Sequence, residues 1–377
     1  LAIADRSSQT INGIFRYNVG KVTIYRYENN SWIQHGSPIY GEFAQDRCCK
    51  MSLSDNGEIL ALGAALHDRD GNDAPEGYDT GHVRIYQYRD DWYKIGSDIH
   101  GTFKYEEFGR SVELSSNGLT LAVRGFRENR VTNSFVKIFD YDADLDDWAQ
   151  RGDKLKDDSG AYLQSFGQDI SMSASGNRFA TNSPDDYLYG GRGSVYVFDS
   201  DGASWSSPFT LRNITQQYSL AKDAIQLSSN GELLAIGSET GLVTLFDYTG
   251  NHTNTSPPPK LLEETLFGNF GRALSISSDG LTMAIYSPNS NGQIKVFSLP
   301  DLPPVLSSDV VSSIAEGSTA LGSIYSSEAV TWSSSSNIVS ISASGELSLT
   351  SPAYYDDTPV INFTITATDA IGQTTAK

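Results

Sequence analysis

One short phrase recurs six times along this chain, and it decides what the chain can fold into. It reads Gly20-Lys-Val-Thr-Ile-Tyr25, Gly81-His-Val-Arg-Ile-Tyr86, Ser134-Phe-Val-Lys-Ile-Phe139, Gly193-Ser-Val-Tyr-Val-Phe198, Gly241-Leu-Val-Thr-Leu-Phe246 and Gly292-Gln-Ile-Lys-Val-Phe297. Aliphatic residues lie two apart, and an aromatic follows on the opposite parity. A strand sends alternate side chains to opposite faces, so apolar groups on both parities predict strands buried on both sides, as in stacked small sheets.

A second phrase precedes the first: a strand, a Gly turn and an aliphatic strand. Its copies are Met51–Gly57 with Leu60–Leu62, Val112–Gly118 with Leu121–Val123, and Ile170–Gly176 with Phe179-Ala180. Two more are Ile225–Gly231 with Leu234–Ile236, and Leu274–Gly280 with Met283–Ile285. The Asn-Gly and Asp-Gly pairs supply positive φ, and so predict two-residue hairpin turns. Leu1-Ala2-Ile3 matches the second half of this phrase alone.

A third phrase follows the first: Trp32-Ile-Gln-His-Gly36, Trp92-Tyr-Lys-Ile-Gly96, Trp148-Ala-Gln-Arg-Gly152 and a degraded copy at Trp205. Four strands per unit and a Trp spacing of 56 to 60 residues describe propeller blades. The fold expected is all-β: a β-propeller with six blade repeats visible over 1–300, then a linker at 301–304 and an Ig/cadherin-like β-sandwich over 305–377. The first unit lacks its first strand and the last lacks its Trp strand. Either ring closure pairs the two ends, or an upstream segment completes a seventh blade. The Trp series is read as a packing device rather than as sugar-stacking platforms.

These residues resemble the FG-GAP repeats of integrin-α-type propellers. The motif is carried by Phe108-Gly-Arg-Ser-Val-Glu-Leu-Ser-Ser-Asn-Gly118, with Ala61-Leu-Gly-Ala64 and Gly81–Tyr86. The Trp-X-Gln-X-Gly element is similar to that of large surface proteins of marine microbes and algae. The chain departs from the integrin pattern at Cys48, where Gly is expected, and it lacks the linear Asp-X-Asp-X-Asp-Gly loop. The resemblance implies a module that binds other proteins, or assembles, outside the cell.

Composition changes at Asp301-Leu-Pro-Pro304, where consecutive prolines favour an extended linker. Beyond it, Phe363, Ile365 and Ala367 alternate with Asn362, Thr364 and Thr366, the pattern of a half-exposed strand. With Ser344–Leu349 and Ala367-Thr-Asp369, the segment resembles a cadherin repeat. That resemblance implies calcium at Glu316, Asp356, Asp357 and Asp369, although the family's central Asp-X-Asp pair is missing.

Calcium is the cofactor that the acidic runs call for, since it takes six to eight oxygens in flexible geometry. The propeller candidates are Asp68, Asp70 and Asp73 in the metal-like run His67-Asp68-Arg-Asp70-Gly-Asn-Asp73, and Asp142, Asp144 and Asp146, which with Asp140 alternate beside Trp148. A net charge of −19 excludes nucleic acid, which needs basic stripes to displace counterions. No apolar run is long enough to span a bilayer. Leu1 opens inside a strand-like motif, as in a processed or excerpted chain. The two cysteines, Cys48 and Cys49, are adjacent; a vicinal bridge is strained, so free or intermolecular thiols are expected. Sequons at Asn29, Asn213, Asn251 and Asn362 mark glycosylation candidates and point to a secreted or cell-surface protein. A fifth, Asn254, is set aside because of the Pro257 that follows.

No metalloprotease, nucleophile-elbow or phosphate-loop motif occurs, and the chain is not expected to be an enzyme. The expected function is an adhesion or recognition module. It binds an extracellular protein through the inter-strand loops around 66–80, 124–133 and 182–192, with the C-terminal domain as spacer. The alternatives are a self-associating structural subunit of a fibre, sheath or appendage, and a propeller that binds or cleaves glycans.

Overall fold

The computed structural model describes residues 1–5, 8–11, 14–16, 19–42, 50–67, 79–126, 134–156, 165–184, 193–206, 208–212, 220–238, 241–248, 260–265, 271–277, 280–287, 292–298, 306–308, 318–326, 330–352, 363–368 and 374–376. It forms two compact units, Leu1–Leu299 and Pro300–Lys377. All regular elements among the described residues are strands. Among the described residues no helix is long and apolar enough to cross a membrane.

The first unit is a succession of antiparallel meanders, one for each copy of the repeated phrases. The second sheet orders Lys50–Leu53, Ile59–Ala64, His82–Tyr88 and Trp92–His100; the third, Val112–Leu114, Thr120–Gly125, Phe135–Asp142 and Asp147–Gln150. The fourth is Ile170–Met172, Arg178–Ser183, Ser194–Asp199 and Phe209–Arg212; the fifth, Leu220–Leu227, Leu233–Ser238, Leu242–Asp247 and Lys260–Thr265. The sixth has Ala273–Ile276, Thr282–Ser287 and Gln293–Ser298. In the first sheet Ala2–Asp5 pairs with Lys21–Glu28, which also carries Ser31–Gln34 and Ile39–Tyr40. None of the described sheets closes on itself.

The alternation anticipated for the first phrase is met residue by residue. In the third sheet Leu121, Val123, Phe135 and Phe139 pack against the second sheet's Ala61, Val83 and Ile85. Their neighbours Ala122, Val136 and Ile138 pack against the fourth sheet's Phe179, Tyr196 and Phe198. The fourth sheet in turn gives Ala180, Val195 and Val197 to a core shared with Leu234, Ile236 and Phe246 of the fifth. The third and fourth sheets are therefore each the filling between their neighbours, and each of these inter-sheet layers is a separate apolar core.

The third phrase joins consecutive sheets. Trp92 and Trp148 are buried. A Cβ added at Gly36 would lie 2.7 Å from Trp92 Cδ1, and one at Gly96 would lie 2.7 Å from Trp148 Cδ1. The Gly of Trp-X-X-X-Gly is thus the seat for the next sheet's Trp. The Asp before each of these Trp residues completes the joint: Ser37 N donates to Asp91 Oδ1 (2.6 Å) and Ser97 N to Asp147 Oδ1 (3.0 Å). Trp205 sits more loosely over Gly152, at 3.5 Å, and Ser204 replaces the Asp.

The hairpin turns of the second phrase differ from the expectation. Only the glycines take positive φ, as at Gly57 (74°) and Gly118 (73°). Gly57 N donates to Ser54 O, Glu58 N to Asn56 Oδ1 (3.0 Å) and Ile59 N to Ser54 Oγ (2.9 Å). The Ser and Asn side chains satisfy the backbone of a wider turn, so two residues are not forced to close it. A turn with two successive positive φ angles occurs instead at Asn29 (49°) and Asn30 (62°), as a type I′ hairpin requires.

The second unit contains a four-stranded sheet of Leu306–Ser308, Ala320–Ser326, Glu346–Leu349 and Val339–Ile341, and a three-stranded sheet of Thr331–Ser334, Ile365–Thr368 and Thr374–Ala376. Leu321, Ile324, Val339, Leu347 and Leu349 of the first meet Ile365 of the second in one core. Ile365 and Ala367 are buried and Thr366 only partly so, which matches the predicted alternation.

Candidate functional site

In the second to sixth sheets the second strand ends and the third begins at the same end of the sheet, where the connection between them is rooted. These connections cover 65–81, 126–134, 184–193, 239–241 and 288–292. They differ in length and composition, whereas the strands on either side keep one pattern. The root of the 126–134 connection is well tied. Arg124 is buried and donates from Nε to Phe166 O (3.0 Å), and from Nη2 to Ser134 Oγ (3.3 Å). Burial pulls its pKa down to about 9.

At the opposite end lie the acidic residues beside Trp148. Asp140 is held by Arg151 (Nε to Oδ2, 2.6 Å), and Thr120 Oγ1 donates to its other oxygen. Asp142 Oδ1 accepts from Asp144 N (3.0 Å) and Leu145 N (3.2 Å), which closes the hairpin. Asp146 has positive φ (48°) and accepts from the Tyr141 hydroxyl. Asp140, Asp142 and Asp144 line an open hollow of about 430 Å³ together with Tyr141, Ala143 and Ala149. Three of the four carboxylates are thus engaged with protein donors, which is how this acidic run folds.

Asn29 is exposed in its turn. Asp68, Asp70, Asp73, Glu316, Asp356, Asp357, Asp369, Asn213, Asn251 and Asn362 lie outside the described residues, as do Cys48, Cys49 and the 301–304 linker.

A third cluster was foreseen only in His67, which opens the metal-like run of the sequence. Glu42, His67 and His82 each place one donor atom within 4.8 Å of the others. His82 opens the third strand of the second sheet. It and Arg84 lie on the same strand parity as Tyr86, which packs toward the first sheet. Glu42 follows Ile39–Tyr40 of that first sheet, and Arg84 Nη1 holds its carboxylate at 3.0 Å. His67 is fixed by its carbonyl, which accepts from Gly81 N (3.1 Å) and Thr80 Oγ1 (3.3 Å). The His67 and His82 rings meet edge to face, with centroids 4.0 Å apart. His82 is fully buried, and neither of its ring nitrogens has a hydrogen-bond partner among the described residues. Burial, followed by the charges of His67 and Arg84, lowers its pKa to about 2. The ring is therefore neutral at physiological pH. For His82 the sequence signal was positional: Lys21, Phe135, Ser194, Leu242 and Gln293 fill the equivalent place in other copies, so histidine there is peculiar to this sheet.

No family model matches the chain, and no curated protein matches it. Among solved structures it is similar to the Dos1 propeller, with 12% identity and a TM-score of 0.45 over 75% of this chain and 63% of that one. It is also similar to Sqt1 from Chaetomium thermophilum, with 16% identity and a TM-score of 0.43 over 68% of this chain and 59% of that one. The chain spans less than two thirds of either. Its own sheets define the class: an all-β, β-propeller-like protein in which meanders stack face to face.

Proposed function

We propose that the chain is an extracellular recognition module, a propeller of six FG-GAP-like blades followed by a cadherin-like sandwich that serves as spacer. The observation that supports this most directly is the division of labour in the first unit. Strands, Trp seats and turns repeat, while the second-to-third-strand connections at one end diverge. Divergent segments on a rigid frame are where binding usually resides. The partner expected is an extracellular protein. Glycans at Asn29, Asn213, Asn251 and Asn362, and calcium at the acidic runs, fit the same compartment.

A second reading, a self-associating structural subunit, is favoured by the two outermost sheets. Trp32 is 56% exposed, against 9% and 8% for Trp92 and Trp148 at the same place in the repeat. Ile294 and Val296 are 65% and 66% exposed, whereas the equivalent Val243 and Leu245 are fully buried. The first sheet thus bares the face that looks toward a preceding blade, and the sixth bares the face that looks toward a following one. Two unlike apolar faces of this kind suit a head-to-tail contact, the type that yields rings or filaments.

The test presents the biotinylated full chain to arrays of extracellular protein domains and of glycans, with sedimentation over a range of concentrations in parallel. Saturable binding to protein features by a monomer supports recognition. Concentration-dependent assembly without array binding moves the account to the structural subunit, and glycan binding alone replaces both with a carbohydrate reading.

A further inference from the structure

We propose that Glu42, His67 and His82 form a binding site for one borderline divalent transition-metal ion, with zinc the best match. Two imidazole nitrogens and a carboxylate are a zinc donor set. Calcium, which prefers six to eight oxygens, fits it poorly. The three donor atoms already lie within 4.8 Å of one another, a separation that small side-chain rotations reduce to the spacing around a tetrahedral ion. Three protein ligands leave a fourth position for water, which reaches the cluster from the side of exposed Glu42.

The strongest support is His82 itself. A buried polar atom without a partner is costly, and native proteins rarely tolerate one. Here a single ring has two such nitrogens. The blade architecture does not demand histidine at this position, because Phe135, Ser194 and Leu242 occupy it in the next three sheets. A metal bond would satisfy one nitrogen and account for the residue. Arg84 does not oppose the assignment. Its guanidinium holds the Glu42 carboxylate, and ligating carboxylates are commonly oriented by such hydrogen-bond donors. The site would also tie the first sheet to the second, because Glu42 comes from one and both histidines from the other.

The test uses the full chain stripped with chelator. Cobalt(II) is added as a spectroscopic probe, zinc is titrated by calorimetry, and melting is followed with and without zinc. The expected result is one equivalent bound, tetrahedral-type visible absorption from cobalt that zinc displaces, and a zinc-dependent rise in melting temperature. His82→Phe, which installs the side chain that Phe135 places at the same position of the third sheet, should abolish stoichiometric binding, and Glu42→Gln should weaken it by roughly tenfold or more. Should His82→Phe fail to fold, Glu42→Gln and His67→Gln decide the matter. Absence of a bound equivalent in the wild type, or unchanged affinity in the folded variants, overturns the assignment.

Discussion

Substituting Gly96 by Ala tests the physical idea on which the stacked sheets rest. Gly96 has φ +68°, and an added Cβ would lie 2.7 Å from Trp148 Cδ1 and 3.1 Å from Nε1. Two costs follow. A side chain in the left-handed region costs about 1–2 kcal/mol. Overpacking a well-filled contact costs a further ~1–3 kcal/mol, since Trp148 is 8% exposed and must uncover its ring to move away. The sum is about 3 kcal/mol. Gly57 and Gly152 provide the controls: φ is +74° and +66°, but a Cβ at Gly57 meets nothing within 4 Å and one at Gly152 meets Trp205 only at 3.5 Å. Both should therefore cost the backbone term alone, about 1–2 kcal/mol. With a urea slope of about 3 kcal/mol/M, Gly96→Ala should lower the midpoint by about 1 M and the controls by about 0.5 M. In a Trp148→Ala background the steric part disappears, so Gly96→Ala should cost no more there than the controls do. Equal costs for Gly96 and Gly152, or the same Gly96 cost in both backgrounds, would refute the seating of one sheet's Trp on the previous sheet's Gly.

Other consequences are open to direct measurement. Trp92→Ala, which also loses the Nε1 bond to His35 O (2.8 Å), should cost about 3–5 kcal/mol in urea unfolding, whereas Trp32→Ala should stay within about 0.5 kcal/mol. Glu113 has its pKa raised to about 8, chiefly by burial and then by the charge of Asp169. The folded state therefore holds a proton that the unfolded state has released between about pH 4.5 and pH 8, and stability falls as pH rises through that window. Glu113→Gln should flatten the slope and stabilise the chain by about 2–4 kcal/mol above pH 8; an unaltered pH profile would contradict this. Calcium should raise the melting temperature, and EDTA should reverse the rise, if the acidic runs bind it; melting that ignores both removes calcium from the account.

Much of the first unit was legible because its signals are periodic and local. Val136-Lys137-Ile138-Phe139 reads as a strand with two apolar faces, and both faces are buried as expected. The equivalence of Leu1 with Leu60 was also readable, and the structure pairs Leu1 with Tyr25 through two backbone hydrogen bonds. The turn geometry was misjudged at Asn56-Gly57 because a dipeptide rule ignores the Ser54 hydroxyl, which supplies the acceptor that a wider turn needs. The Trp seats were half visible: the Trp and Gly spacing stood out, but that Gly36 receives Trp92 is a contact between units, which no local window contains. His67 stood out in its acidic run, but its pairing with His82 was invisible for the same reason. The two are joined by a long connection, and Glu42 comes from a different sheet.

The recognition account is tested most directly by replacing 127–133 and 185–192, each with a Gly-Ser segment of equal length, and comparing the variant with the wild type on the extracellular-domain array and in urea unfolding. The prediction is loss of array binding with the urea midpoint unchanged, because the Trp seats and inter-sheet cores lie elsewhere. Binding that persists after both connections are replaced would contradict the claim that these two connections carry recognition.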